Sequence, residues 1–104
     1  MKKHIYLFLD TSAVNTASVA VEIGGKRFEK SSESRVLKSQ MVLPLIESLL
    51  AEHNVRLHDL SGISVVTGPG SFTGLRVGAT VANTLGYLLS VPVNGKKVLA
   101  IPSY

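Results

Sequence analysis

The stretch Thr67-Gly68-Pro69-Gly70-Ser71-Phe72-Thr73-Gly74-Leu75-Arg76 constrains the fold of this chain more than any other. It follows an apolar, strand-like segment, Ile63-Ser64-Val65-Val66, and opens a helix expected from about Thr73 to Leu89. A glycine-rich turn between a strand and a helix N-terminus gathers backbone N–H groups and the positive end of the helix dipole, and so suits an anion. It is not a P-loop, because Leu75 and Arg76 follow Gly74 where Lys and Ser or Thr belong. Nor is it a dinucleotide fingerprint: with Gly68 and Gly70 in place, Thr73 stands at the third glycine position. What remains is a tight turn with Ser71 or Thr73 as helix N-cap. Arg76 falls in the first turn, where a cation opposes the dipole, and this points to an anion or carboxylate nearby. A structural turn and an anion site stand as equal readings of these residues.

The helix that follows carries a second pattern. Gly74, Gly78, Ala82 and Gly86 recur every four residues, with Ala79 alongside. Small residues at that spacing form a groove into which another backbone can pack closely. Glycine costs about 1 kcal/mol relative to alanine inside a helix, so the stripe requires a compensating contact. That contact is either the protein's own sheet and first helix or an intermolecular helix bundle. The first helix, expected over 37–51, supplies an apolar row Leu37, Met41, Leu45 and Leu49 for such packing, with Val42, Ile46 and Leu50 adjoining. Ser34 and Ser39 are its candidate caps. Pro44 either bends it or starts a second segment, and Asn54 is a left-handed stop.

Upstream, Ile5 to Leu9 reads as a buried strand ending on the turn-forming cluster Asp10-Thr11-Ser12. That cluster is either a self-satisfied turn or a carboxylate with two hydroxyls able to hold a magnesium-bound phosphate. Thr16 to Ile23 alternates as a half-buried strand. Gly24-Gly25 signals a hairpin turn, and Lys26 to Lys30 returns as a third strand. Leu57 to Leu60 reads as a helical turn, Gly62 to Thr67 as a fourth strand, and Val91 to Val93 as at most one short strand more. The order βββαβα implies an α/β fold with a mixed sheet, an antiparallel three-strand meander and two helices on one side.

At 104 residues the chain reads as one domain, 1–104. The absence of cysteine excludes disulfides, thiolate metal sites and cysteine nucleophiles. His4, His53 and His58 lack the spacing that gives one helix face two imidazoles, and no serine sits in a nucleophile elbow, so no catalytic or metal set is expected. The apolar run before Asp10 is too short for a signal peptide, and no stretch spans a membrane, so the chain reads as soluble and cytoplasmic. The net charge of +4 is scattered, which fits a solvated surface or weak tRNA contact.

Leu7 to Ser12, Ser18 to Val21, Ser39-Gln40 with Leu43-Pro44, and above all Gly68 to Gly78 resemble the N-terminal domain of the TsaB (YeaZ) family over roughly residues 4–95. The resemblance implies a single actin-like, Hsp70- and RNase H-type lobe. It implies a non-catalytic platform for threonylcarbamoyladenosine synthesis on tRNA, paired through its helices with the catalytic subunit TsaD. TsaE and ATP join that assembly, tRNA is engaged indirectly, and a homodimer forms through the same face. The residues that carry this expectation are Leu37, Met41, Leu45, Leu49, Gly74, Gly78, Ala82 and Gly86. The alternative is a nucleotide- or phosphate-binding protein, or a self-associating paralogue. The nucleotide reading uses Asp10, Thr11, Ser12, Gly68, Gly70, Ser71, Thr73 and Arg76. The chain departs from the family at Lys38, where members often carry histidine, and in its tail from Gly95 to Tyr104. Members also have a second domain. Its absence implies that this chain dimerises to cover what that domain would cover.

Overall fold

A computed structural model describes residues 4–33 and 38–96. Leu37, the capping candidate Ser34 and the tail beyond Lys96 lie outside the described residues. Strands β1 (Ile5–Asp10), β2 (Thr16–Ile23) and β3 (Lys26–Glu33) come first. Helix α1 (Lys38–Glu52), a 3-10 turn (Leu57–Asp59), strand β4 (Gly62–Val65) and helix α2 (Phe72–Leu89) follow. The sheet runs β3-β2-β1-β4. β1–β2 and β2–β3 pair antiparallel and β1–β4 parallel, which makes the sheet mixed.

Local chemistry explains the elements. Gly24 and Gly25 turn the β2–β3 hairpin at φ 56° and 86°, the left-handed values that a primed turn needs. β3 runs three residues beyond the expected Lys30, to Glu33, because β2 offers partners as far as Thr16. β4 ends at Val65, two residues earlier than expected, where the chain enters the glycine loop. α1 continues through Pro44, and Ser39 lies inside it, not at its cap. Asn54 takes φ 55° after α1, and Ser90 takes φ 55° after α2.

Both helices lie on one face of the sheet. Ile5, Leu7 and Leu9 of β1, Val19 and Val21 of β2, and Ile63 and Val65 of β4 all point into the core with Val42, Ile46, Leu49 and Leu50 of α1. Each such side chain contributes about 1.5–3 kcal/mol by leaving water. The Lys30 ammonium reaches from β3 to α1, where it donates to Ser48 Oγ at 2.8 Å and pairs with Glu52. The opposite face of the sheet, with Tyr6, Phe8, Asp10 and Arg27, carries no helix among the described residues.

Candidate functional site

The two loops singled out by sequence meet at one end of the sheet and are stitched together. Asp10 Oδ1 accepts hydrogen bonds from Ser12 N–H at 3.0 Å and from Ser12 Oγ at 2.5 Å. Ser12 C=O accepts from Ser71 N–H at 2.8 Å. Thr11 is fully buried, and its hydroxyl donates to Gly74 C=O at 2.5 Å. Ser71 Oγ accepts from Gly74 N–H at 3.2 Å and caps α2. The Gly68–Pro69 peptide is cis. A Cβ at Gly70 would stand 2.6 Å from Ser12 Cβ, so the glycine allows the loops to touch.

These bonds give the Asp10-Thr11-Ser12 cluster the form of a turn that satisfies its own polar groups. The Thr11 and Ser71 hydroxyls and one Asp10 oxygen are already engaged within the chain. Among the described residues, no buried side-chain nitrogen or oxygen lacks a partner. The Thr11 hydroxyl ties the two loops together, and the Ser71 hydroxyl caps α2. Of the remaining candidates, Asp10, Thr73 and Arg76 are exposed, with Ser12 and Gly68 half-buried. The Arg76 guanidinium lies 5.6 Å above the Phe72 ring centroid, a cation–π contact one helical turn back.

The small-residue stripe faces inward. Gly74, Gly78, Ala82 and Gly86 are all buried. A Cβ at Gly78 would collide with Thr11 Oγ1 and stand 3.2 Å from Val65 Cγ2. A Cβ at Gly86 would collide with Val93 Cγ2. The stripe therefore lets α2 sit close on β1, β4 and the segment at Val93, the internal one of the two contacts that its spacing allowed. Leu49 is likewise a core residue at 1% exposure. Met41 and Leu45 are half-buried against that core.

The outward half of α2 is what the sequence reasoning missed. Phe72, Tyr87 and Leu88 are 55%, 83% and 69% exposed. Phe72, Thr73, Arg76, Val77, Thr80 and Val81 line an open groove of about 400 Å³. Arg76 is the only charged residue among the eighteen of α2. A helix with half its surface in water ordinarily carries charges there, and their absence along α2 is a signal that the sequence already contained. On α1, Leu43 and Pro44 are exposed as well.

Comparison with known proteins follows the same lines. Residues 31–99 match the family model described as TsaD, tRNA N6-adenosine threonylcarbamoyltransferase. The chain is 33% identical over 93 residues to the tRNA threonylcarbamoyladenosine biosynthesis protein TsaB of Haemophilus influenzae, covering 89% of this chain and 39% of that protein. It is 43% identical over 74 residues to the tRNA N6-adenosine threonylcarbamoyltransferase of Nitrosospira multiformis, covering 71% of this chain and 20% of that one. The solved structure of YeaZ from Pseudomonas aeruginosa superposes with a TM-score of 0.82 at 34% identity, covering 86% of this chain and 42% of that chain. The chain thus spans less than half the length of these relatives.

Proposed function

The chain belongs to the TsaB (YeaZ) family, and on that premise we propose that it acts as a non-catalytic platform subunit in threonylcarbamoyladenosine formation on tRNA. It is an actin-like lobe that pairs with a TsaD-like threonylcarbamoyltransferase. A TsaE-like ATPase and ATP belong to the assembly, and tRNA reaches this subunit through its partner. The pairing surface is the outward half of α2 with Met41, Leu43 and Leu45 of α1, in place of the buried stripe. The observation that carries this reading is the outer face of α2, where Phe72, Tyr87 and Leu88 are exposed and Arg76 is the one charge in eighteen residues. Large apolar side chains left in water on a helix face with a single charge fit a protein–protein contact. Alone, the chain covers the same face with a second copy. The work of this subunit takes place in the cytoplasm, and no helix among the described residues is long and apolar enough to cross a membrane.

Light-scattering chromatography of the chain alone and mixed with the threonylcarbamoyltransferase of the same organism tests this. A heterodimer replacing a homodimer is the expected result. Tyr87→Glu with Leu88→Glu removes both pairings. A chain that ignores the transferase, or a doubly substituted chain that pairs as before, refutes the reading.

A further inference from the structure

The turn that follows α2 is built on the dipeptide Asn94-Gly95. Val93 and Lys96 exchange backbone bonds of 2.9 and 3.1 Å across it, and Asn94 and Gly95 take φ 53° and 76°. Asn-Gly is the pair that a primed turn of this kind favours. The turn is fixed at its base. Val93 is buried at 5% exposure, and Asn94 N–H donates to Ile63 C=O at 2.7 Å. The Asn94 carboxamide then makes two bonds to a single residue of β4. Its Oδ1 accepts from Val65 N–H at 2.7 Å, and its Nδ2 donates to Val65 C=O at 3.1 Å.

The dipeptide that the turn favours is also chemically labile. The backbone nitrogen after an asparagine can attack the side-chain carbonyl, and glycine at that place has no Cβ to hinder the approach. Asn15, Asn54 and Asn83 precede Thr16, Val55 and Thr84, all branched at Cβ, and Asn94 alone precedes glycine. Both Asn94 and Gly95 are exposed. Apart from its chain neighbours, no atom lies within 4 Å of where a Gly95 Cβ would stand. The Gly95 N–H has no acceptor among the described residues, so solvent base can reach its proton.

We propose that Asn94 is a site of spontaneous deamidation, and that the reaction turns its clasp on Val65 into a repulsion. The Gly95 nitrogen loses its proton to hydroxide and bonds to Asn94 Cγ. The Cγ–Nδ2 bond breaks, and Nδ2 takes up a proton and leaves as ammonia. Water then opens the cyclic imide at either carbonyl. One opening gives aspartate in an unaltered backbone, and the other gives isoaspartate, whose backbone runs through the side chain. In the aspartate product a carboxylate oxygen stands where Nδ2 donated to Val65 C=O. Two acceptors with no hydrogen between them repel, and the bond from Val65 N–H is lost as the side chain swings away. Val93 remains anchored in the core, so the loosening is confined to the Val65 contact. The inference does not rest on the pairing proposed for the helices.

Prolonged incubation of the chain in mildly alkaline buffer, followed by peptide mapping in a mass spectrometer, tests the site. The peptide holding Asn94 should gain the mass of an amide-to-acid conversion before those holding Asn15, Asn54 and Asn83, and it should contain both aspartate and isoaspartate. No conversion at Asn94, or faster conversion at another asparagine, overturns the site. Aspartate without isoaspartate overturns the imide route. Asn94→Asp tests the consequence in an unaltered backbone. Hydrogen exchange at the Val65 amide is expected to rise about tenfold over wild type, with exchange in α1 unchanged. Unchanged exchange at Val65 overturns the loss of the clasp, and an equal rise across α1 overturns its confinement to this contact.

Discussion

Gly78→Ala puts one methyl group into the closest contact of α2 with the sheet. That methyl would collide with Thr11 Oγ1 and sit 3.2 Å from Val65 Cγ2. Thr11 cannot yield freely, since it is fully buried and its hydroxyl holds Gly74 C=O at 2.5 Å. Overpacking of this kind costs about 1–3 kcal/mol. Displacing the hydroxyl from its bond costs about 1–3 kcal/mol more. Alanine returns about 1 kcal/mol through its helix propensity. The net expectation is a loss of about 1–5 kcal/mol, which lowers the melting temperature by at least about 4 °C. Urea unfolding followed by circular dichroism measures it. The sign decides the issue: on an open helix face the same substitution would stabilise by about 1 kcal/mol. In a Thr11→Ala background the obstacle is gone, and Gly78→Ala should cost at least about 1 kcal/mol less than it does alone. A Gly78→Ala chain as stable as wild type, or no coupling with Thr11, refutes the packing argument.

Ser71→Ala removes the cap of α2 and should cost about 1 kcal/mol in urea unfolding, because Gly74 N–H loses its acceptor. The Glu52 carboxyl is held below the usual carboxylate range, chiefly by its hydrogen bond from Lys30. A folded-state value below the unfolded one stabilises above the unfolded value and is lost as pH falls through the folded one. The stability difference between wild type and Glu52→Gln should therefore be present at neutral pH and fade below about pH 4, as paired urea titrations would show. Tyr87→Glu and Leu88→Glu, both on exposed positions, should each leave the unfolding midpoint within about 0.5 kcal/mol of wild type.

Much of the scaffold was legible because its signals are local. Alternation gave β2, paired glycines gave the hairpin turn, and Asn54 marked the left-handed exit from α1. Ser71 as N-cap follows from the same kind of short-range chemistry. The lateral place of each strand is a matter of long-range pairing. Nothing in Gly62-Ile63-Ser64-Val65 states that it lies parallel to β1 at the edge. The hydroxyls of Thr11 and Ser71 were ambiguous for a related reason: an oxygen that can bind phosphate can equally bind a carbonyl. For Ser71 the cap is local, but only the proximity of the two loops, which are more than fifty residues apart, shows that a carbonyl claims the Thr11 hydroxyl.

The stripe on α2 shows where periodicity stops being informative. Spacing every four residues establishes that Gly74, Gly78, Ala82 and Gly86 share a face, and their size establishes that something approaches closely. Neither says whether the approaching group belongs to this chain. The other side of the helix settles the choice. Had the stripe faced a partner, the remaining surface of α2 would have to supply the core contacts, and large apolar residues such as Phe72, Tyr87 and Leu88 would be buried. They are exposed, and Leu75, Ala79 and Leu85 are buried beside the stripe. α2 therefore uses smallness on its inner side to approach the sheet, and on its outer side presents Phe72, Tyr87 and Leu88 with the single charge of Arg76. The two halves respond to substitution in separable ways. Enlarging an inner glycine changes the stability of the single chain before it can change any pairing. Charging Tyr87 or Leu88 is expected to leave the fold in place and to remove the pairing proposed for the outer face. A bulky residue at Gly78 is thus a test of folding, and the proposed pairing is tested only from the outer side.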